Sequence, residues 1–237
     1  MSDFLLWAHR GASADAPENT LAAFALAEQQ RADGIELDVQ LSRDGVPLIL
    51  HDEILERTTD GRGRVDQQNW SELRKLDAGS WFGSEFAGER LPSLAEVLEW
   101  ADDRLLLNLE VKTPSVADAL LRLLKQFPWA RVLISSFDHR LLAALRNVAP
   151  DLRLGFLNDS RFWRRALQRA TRARAVSFHP RVDQVSRPLL AACQAAELAV
   201  YPWTVDSAVV AHRLRGLGVA GVFSNRPGLL RRELFLN

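Results

Sequence analysis

Acidic side chains alternate with apolar ones in two segments of the sequence. Glu36 and Asp38 stand two apart in GIELDVQL, and LLLNLEVK has the same spacing at Asn108, Glu110 and Lys112. Side chains two apart on a β-strand share a face, so the polar set of each segment points one way and the apolar set points the other. If the apolar sets face covering helices, the carboxylates face inward, where they repel each other and lose hydration unless a cation is present.

A carboxylate from each segment contributes to one possible set of oxygen ligands. Glu36, Asp38 and Glu110 together suit a hard divalent cation such as Mg²⁺ or Ca²⁺, which prefers carboxylate oxygens. The alternative is a buried ion-pair cluster in which Lys112 and Arg10 neutralise the carboxylates, because ion-pair networks also place charges inside proteins. Either segment alone fits both interpretations, and the two segments together favour a metal site.

Two histidines end candidate strands close to these acidic groups. His9 ends FLLWAH, and His51 ends the apolar run VPLILH. In a parallel barrel both overhang the same mouth, where a pair of imidazoles suits general acid and base catalysis because the unperturbed pKa is about 6.5. Arg10 presents a planar guanidinium that fits phosphate oxygens, and Gly11 lets the backbone turn closely past a ligand. The pattern predicts that His9 and Arg10 face a phosphate.

Other residues are expected near this mouth on weaker grounds. His179 ends SFHP and is a candidate for substrate contact, and Trp203 in YPWTV is a candidate for an apolar wall beside a bound alcohol. Packing inside the barrel is the alternative for Trp203. In PENT, Asn19 is expected to cap the first helix, and Glu18 either orients Arg10 or faces solvent.

The elements that must position these residues alternate regularly along the chain. Eight segments of helical periodicity follow the apolar strand candidates, and strict alternation of this number favours a closed parallel α/β barrel over an open doubly wound sheet. The pattern G-x-G-x-x-G that favours a dinucleotide-binding open sheet is absent after the first strand candidate. The strand candidates are FLLWAH, GIELDVQL, LLLNLEVK, RVLISSF, LRLGFLN, AVSFHP, LAVYPWTV and AGVFSN.

The alternation is interrupted after the second strand candidate. Asp44 and Gly45 predict a tight turn, with VPLILHD as the returning strand of a hairpin. Glycine-punctuated residues 53–92 then predict an insertion, which in a barrel emerges at the C-terminal face and caps the active site. We expect a single catalytic domain over residues 1–237 that contains this insertion.

Composition argues against several classes of partner. The 237 residues include 30 Lys and Arg against 30 Asp and Glu, so no bulk charge favours nucleic acid or an anionic membrane. No apolar stretch reaches membrane-spanning length, and no secretory signal pattern is recognised. Cys193 is the single cysteine, which suits a reducing compartment. We expect a cytoplasmic protein that binds a small molecule without stable membrane association.

Several motifs occur together and in order along the chain. From about residue 6 to about residue 230 the sequence resembles the glycerophosphodiester phosphodiesterase family, in its bacterial cytoplasmic branch. The resemblance implies a TIM (β/α)8 barrel with a small insertion after the second strand. It also implies metal-dependent hydrolysis of glycerophosphodiesters to glycerol 3-phosphate and an alcohol. The motifs are AHRG, PENT, GIELDVQLSRDGVPLILHD, ERTTDGRG, NLEVK, LISSF, VYPWTV and GVFSNRP.

The resemblance further assigns roles to seven positions of this sequence. It implies that Glu36, Asp38 and Glu110 bind a divalent metal ion. It also implies acid/base catalysis by His9 and His51, and binding of the phosphodiester by Arg10 and Lys112. One departure stands at the last strand end, where Ser224-Asn225 replaces the Thr-Asp of many members. This departure is expected to bear on loop geometry.

Three other functions compete with this interpretation. A lysophospholipase D acting on lysolipids needs an apolar surface beside the mouth, which the aromatic residues of the insertion supply. A non-catalytic barrel that binds a phosphorylated metabolite would have lost a histidine or a carboxylate, and none is missing. A metal-dependent hydrolase with an H-x-H ligand pair is disfavoured, because the first strand candidate ends in His9, Arg10 and Gly11.

Overall fold

The structure is a computed structural model that describes residues 4–235. Strands and helices alternate along the chain. The strands are β1 (Leu5–His9), β2 (Gly34–Leu41), β3 (Pro47–Ile49), β4 (Leu106–Val111), β5 (Arg131–Ser136), β6 (Leu154–Asn158), β7 (Ser177–Pro180), β8 (Ala199–Val200) and β9 (Gly221–Ser224). The helices are α1 (Leu21–Gln29), α2 (Trp70–Leu73), α3 (Leu94–Ala101), α4 (Ala117–Leu124), α5 (His139–Val148), α6 (Trp163–Arg172), α7 (Arg187–Ala195), α8 (Ala208–Gly216) and α9 (Pro227–Phe235).

The strands form the predicted barrel. Parallel neighbours follow the order β8-β7-β6-β5-β4-β2-β1-β9, and β3 pairs antiparallel with β2 as the predicted hairpin. Backbone hydrogen bonds link the two ends of this order: Ala220 N to Val200 O (3.0 Å), Phe223 N to Pro202 O (3.0 Å) and Val205 N to Phe223 O (2.8 Å). The fold is therefore a TIM (β/α)8 barrel with an insertion after β2, as the sequence predicts.

The apolar face of β2 shows why the sequence folds in this way. Ile35, Leu37 and Val39 have no exposed surface and join the main core together with Phe24 of α1. The hydrophobic effect thus places this face against the helices, and the alternating polar residues of β2 face the barrel axis.

The register between β2 and β4 aligns the polar faces of the two strands. Glu36 stands beside Asn108, and Asp38 stands beside Glu110. Neighbouring strands are about 4.8 Å apart, so this register places the three carboxylates within reach of one another. The acidic cluster follows from the pairing of two strands about 70 residues apart in sequence.

An aromatic cluster fills the barrel below the mouth. The rings of Trp7, Tyr201 and Phe223 lie 5.8 to 6.3 Å apart. His179 joins them, with its ring 5.1 Å from that of Phe223, and its Nε2 lies 2.8 Å from Ser177 Oγ. The axis below the mouth is therefore packed rather than open.

The eighth strand is shorter than the sequence predicts. LAVYPWTV is expected to be extended throughout, and only Ala199–Val200 forms a regular strand. Pro202 carries no N–H group, so the regular ladder cannot continue through it. An isolated bridge between Arg181 and Trp203 continues the contact with β7 beyond that point.

The insertion forms a small hydrophobic core beside the hairpin. This core contains Leu48, Leu50, Leu55, Val65, Leu73, Ala78 and Leu91. The Asp77 carboxylate accepts backbone hydrogen bonds from Gly79, Ser80 and Gly88 and so closes the loop that follows α2. Within residues 4–235, no helix is both long enough and apolar enough to cross a membrane.

Candidate active site

A cavity of about 210 Å³ opens at the C-terminal ends of the barrel strands. Its charged and polar side is formed by His9, Arg10, Glu36, His51, Asn108, Glu110 and Lys112. Its apolar side is formed by Phe137, Leu157, Trp203 and Phe223. The two sides suit a ligand with an anionic group at one end and a less polar group at the other.

Three buried carboxylates form the floor of the charged side. One oxygen from each of Glu36, Asp38 and Glu110 lies within 4.8 Å of the other two. Burial, followed by the charge of neighbouring carboxylates, raises the pKa of Glu36 well above its usual value and also raises the pKa of Glu110. Glu36 Oε1 is buried and has no hydrogen-bond partner among residues 4–235. An unsatisfied oxygen in an all-carboxylate cluster fits a hard divalent cation.

Two cationic side chains neutralise part of this cluster. Lys112 Nζ lies 2.7 Å from Asp38 Oδ1 and also bonds Glu110. Arg10 Nε lies 3.3 Å from Asp38 Oδ2. Although burial opposes ionisation, Lys112 and Arg10 hold the pKa of Asp38 far below its usual value. The ion-pair interpretation therefore describes Asp38 and Glu110. Glu36, in contrast, accepts a hydrogen bond from the backbone N–H of Arg10 and lies 4.0 Å from His9 Nε2, and no Lys or Arg side chain of residues 4–235 pairs with it.

Asn19 holds Asp38 through both the side chain and the backbone of Asp38. Its Nδ2 donates to Asp38 Oδ2 (2.7 Å), and its Oδ1 accepts from the backbone N–H of Asp38 (3.3 Å). The prediction that Asn19 caps α1 is wrong, because Thr20 occupies that position and its Oγ1 accepts from Ala23 N. Asn19 has a φ of 60°, a left-handed conformation that asparagine tolerates and that turns its side chain into the barrel.

Arg10 is fixed by acidic groups on two sides. Its backbone N–H donates to Glu36 Oε2 (2.9 Å), and its Nη1 donates to Glu18 Oε1 (2.9 Å). Of the two alternatives for Glu18, the structure favours orientation of Arg10. Arg57 of the insertion also donates to Glu18, with two contacts of 2.8 Å.

The two histidines have different partners at Nδ1. His9 Nδ1 lies 2.7 Å from Asn225 Oδ1, and its Nε2 lies 4.0 Å from Glu36 Oε2. Burial and the nearby Arg10 lower the pKa of His9 to about 4. His51 Nδ1 lies 2.5 Å from the carboxylate of Asp52.

The environment of His51 acts on its pKa in both directions. The pKa of His51 is lowered overall, because burial and the charges of Lys112 and Arg10 outweigh the negative charge of Asp38 and the hydrogen bond to Asp52, which raise it. Hydrogen bonds from Arg57, followed by the bond from His51, lower the pKa of Asp52 to about 2. Asp52 is therefore ionised near neutral pH and faces His51 as an anion.

The structure brings most of the predicted site residues to one cavity. His9, His51, Arg10, Lys112, Glu36, Glu110 and Trp203 line it, and Asp38 lies directly beneath. The indole N–H of Trp203 donates to the carbonyl of His179 (2.9 Å), and its ring lies 5.6 Å from that of Phe137.

His179 differs from its predicted position. Its ring has no exposed surface, does not line the cavity and lies within the aromatic cluster. The pairing of β7 with β8 continues past His179 to the bridge between Arg181 and Trp203, so His179 lies below the mouth of the barrel. A side chain in this position has no direct contact with a ligand in the cavity.

At the site, Asn108 and Asp52 have no assigned role from the sequence, and Asn225 is expected from the sequence only to bear on loop geometry. Asn108 lines the cavity, and its buried Oδ1 has no hydrogen-bond partner. Its place on the inward face of β4 is visible in the alternation of the sequence. Asn225 and Asp52, in contrast, contact the histidines from loops, and no periodic pattern marks such residues.

Comparison with known proteins gives consistent matches over nearly the whole chain. The sequence profile of the glycerophosphoryl diester phosphodiesterase family matches residues 9–229. A glycerophosphodiester phosphodiesterase of Caldanaerobacter subterraneus subsp. tengcongensis is 40% identical over 236 residues, which cover 95% of this chain and 96% of that protein. One of Bacillus altitudinis is 34% identical over 232 residues, or 94% of each chain.

Solved structures agree with this result. A phosphodiesterase of Oleispira antarctica, in complex with the product sn-glycerol-3-phosphate, matches with a TM-score of 0.92 and 33% identity over 97% of this chain and 96% of that one. A glycerophosphodiester phosphodiesterase of Agrobacterium tumefaciens str. C58 matches with a TM-score of 0.85 and 32% identity over 96% of this chain and 98% of that one.

Proposed function

The chain belongs to the glycerophosphoryl diester phosphodiesterase family, and from this premise we propose that it hydrolyses glycerophosphodiesters to glycerol 3-phosphate and an alcohol. One observation carries the proposal: a single cavity combines three carboxylates, two fixed cations and two histidines. A phosphodiester resists attack because its oxygens are anionic, so a catalyst must neutralise charge and protonate the departing alkoxide. The cavity contains groups suited to both tasks.

We propose that Glu36, Asp38 and Glu110 hold one divalent cation, Mg²⁺ or Ca²⁺. Support comes from their burial, their mutual proximity and the unsatisfied Oε1 of Glu36. When bound, such an ion acts as a Lewis acid that neutralises charge on phosphoryl oxygens. Arg10 and Lys112 bind the same phosphodiester from the protein side, since both line the cavity and both remain charged near neutral pH.

The partners of the two histidines support different roles. His9 contacts a neutral amide and its pKa is lowered to about 4, so its ring is neutral near pH 7 and accepts a proton from the nucleophile. The nucleophile is water or the 2-hydroxyl of the glycerol. His51 contacts the anionic Asp52, which stabilises a protonated ring, so His51 donates a proton to the leaving alcohol. His9 is thus the proposed base and His51 the proposed acid.

The choice of leaving group tests this assignment. His9→Ala and His51→Ala are each expected to lower kcat on glycerophosphocholine by about a hundred- to ten-thousandfold, because each removes a proton-transfer group. On a glycerophosphodiester of p-nitrophenol, whose phenolate leaves without protonation, His51→Ala is expected to recover to within about tenfold of the parent and His9→Ala is not. Recovery of His9→Ala instead would reverse the two roles.

A calorimetric titration tests the metal site without relying on turnover. Glu36→Gln is expected to weaken binding of Mg²⁺, Ca²⁺ or Mn²⁺, because a neutral amide replaces one of the three anionic ligands. Glu53→Gln is the matched control, since Glu53 is exposed and its carboxylate pairs with Arg64 of the insertion, and neither residue lines the cavity. Equal affinities in the two variants would assign Glu36 a structural role.

The substrate alcohol is best identified with a panel. The exposed Phe137 and the neighbouring Trp203 give the cavity an apolar wall, which also suits the acyl chain of a lysolipid. Release of glycerol 3-phosphate from the choline, ethanolamine, glycerol and inositol diesters is compared with hydrolysis of lysophosphatidylcholine, first with chelator and then with added metal. Turnover of the lysolipid alone would favour lysophospholipase D, and binding without turnover would favour a phosphometabolite-binding barrel.

We also propose a domain organisation, a class of partners and a location for this activity. Residues 1–237 act as one catalytic domain, in which the insertion over 53–92 caps the active-site face through the contact of Arg57 with Glu18. The partners are small molecules rather than nucleic acid or a membrane, because acidic and basic residues balance. A cytoplasmic location suits the single buried Cys193, which needs no disulfide partner.

A further inference from the structure

A carboxylate and an amide stand behind His9 on the side away from the cavity. Asp206, between β8 and α8, accepts hydrogen bonds from the backbone N–H of Asn225 (2.7 Å) and from the hydroxyl of Ser224 (3.0 Å), both at Oδ1. Its Oδ2 accepts from Nδ2 of Asn225 (2.8 Å). Asn225 Oδ1 lies 2.7 Å from His9 Nδ1. The three side chains form a chain from Asp206 through Asn225 to the imidazole.

The carboxylate determines which way the amide of Asn225 points. Both oxygens of the Asp206 carboxylate act as acceptors in this network, so the NH₂ group of Asn225 must face Asp206. The carbonyl oxygen of the same amide must then face His9. An amide oxygen only accepts, so His9 Nδ1 must be the donor.

We propose that Asp206 and Asn225 are positioning residues that hold His9 in the tautomer with hydrogen on Nδ1, which leaves the lone pair of Nε2 directed at the cavity. The inference rests on the proposed role of His9 as the base. Within residues 4–235, Nε2 forms no hydrogen bond and lies 4.0 Å from Glu36 Oε2, so its lone pair is free for the proton of the nucleophile. The opposite tautomer would place an N–H at this point, and that ring cannot act as the base.

A single substitution is expected to invert this arrangement. In Asp206→Asn, the one remaining side-chain oxygen stays at the Oδ1 position, because the backbone N–H of Asn225 and the Ser224 hydroxyl both donate there. The new NH₂ group therefore takes the place of Oδ2. Two NH₂ groups then face each other, and the amide of Asn225 must rotate by half a turn. Its NH₂ group meets His9 Nδ1, which becomes an acceptor, and the hydrogen moves to Nε2.

Exchange of the two side chains is expected to restore the native tautomer. In the double variant Asp206→Asn with Asn225→Asp, the NH₂ group at 206 donates to the carboxylate at 225, which accepts from His9 Nδ1. Ser13→Ala is the matched control for the tautomer: the Ser13 hydroxyl lies 2.9 Å from Asn225 Oδ1, and its loss leaves the bonds between Asp206 and Asn225 in place.

¹⁵N NMR of the imidazole reads the tautomer directly, on the full chain with and without Mg²⁺. We expect Nδ1–H in the parent, in Ser13→Ala and in the double variant, and Nε2–H in Asp206→Asn. In Asn225→Ala, which lacks the acceptor, both tautomers are expected. Persistence of the Nδ1–H tautomer in both Asp206→Asn and Asn225→Ala would overturn the proposal. Thermal melting identifies any variant that does not fold.

Kinetics links the tautomer to the reaction. With glycerophosphocholine, Asp206→Asn is expected to lower kcat by about a hundredfold or more with KM within about twofold, and the double variant is expected to recover most of the loss. An inverted tautomer with unchanged kcat would remove the catalytic part of the proposal. If the tautomers are as expected but the protein has no hydrolytic activity, the result would support the positioning network and refute the proposed function.

Discussion

Asp38 has the largest number of fixed partners among the three carboxylates. Lys112 and Arg10 supply positive charge at the carboxylate, and Asn19 adds one hydrogen bond to the carboxylate and one from the backbone N–H. A ligand that is held by its neighbours keeps the orientation a metal ion requires, and loss of such a partner typically costs 10- to 100-fold in affinity or activity. Asn19 therefore acts on the metal site through Asp38.

Asn19→Gly tests this role at the scale of one residue. Glycine tolerates the φ of 60° at this position and removes only the amide. We expect the affinity for Mg²⁺ to fall by about 10- to 100-fold, measured by calorimetric titration. Arg31→Gly is the matched control, because Arg31 has the same φ of 60° and is exposed outside the site. Equal affinities in the two variants would limit Asn19 to a role in the loop.

At the scale of elements, the insertion is connected to the barrel close to the proposed acid. Arg57 donates to Asp52, the partner of His51, and to Glu18, the partner of Arg10. One guanidinium thus links the loop after the hairpin with the loop before α1. Such a link would hold the proposed proton donor in register with the proposed phosphate-binding group, and a misplacement of about 1 Å can cost about a hundredfold in rate.

Arg57→Ala compared with Arg64→Ala isolates this connection. Both side chains are 42% exposed and both contact two carboxylates, but the partners of Arg64 are Glu53 and Asp66 within the insertion. We expect Arg57→Ala to lower kcat/KM by about 10- to 100-fold and to accelerate hydrogen exchange over residues 52–64. For Arg64→Ala, kcat/KM is expected to stay within about twofold, because exposed ion pairs contribute little. Similar losses in both variants would contradict a specific role for Arg57.

At the scale of the whole molecule, the packed barrel interior contains a titratable group away from the carboxylate cluster. Burial lowers the pKa of His179 to about 3, whereas an unfolded chain titrates it near 6.5. Between these values the unfolded state binds a proton that the folded state does not, so the free energy of unfolding falls as pH falls. Glu36 and Glu110 act in the opposite direction, because burial raises their pKa values.

His179→Gln separates these contributions. The amide can reach Ser177 and does not titrate, so the variant lacks one proton of uptake on unfolding. Between about pH 6 and pH 4, the parent is expected to lose stability relative to the variant by about 1.4 kcal/mol per pH unit, measured by urea denaturation at each pH. A difference between the two proteins that does not change with pH would show that His179 is protonated without penalty in the fold.

Local patterns in the sequence were enough to predict the barrel and the inward faces of the carboxylates. Alternation in β2 and β4 assigns each side chain to the helix side or to the axis, and the turn at Asp44-Gly45 specifies the hairpin. These features are encoded between near neighbours in the chain, where the strand period and turn chemistry act directly. Membership of the family followed from the same motifs and is confirmed.

Contacts between distant parts of the chain set which loop residue meets each proposed catalytic group. His9 and Asn225 are 216 residues apart, and Asn19 reaches Asp38 instead of capping α1. The depth of His179 below the mouth likewise depends on how far two strands extend. Periodicity fixes the face of a side chain, but closure of the barrel fixes its height along the axis and its partner across the mouth, and no local pattern contains that information.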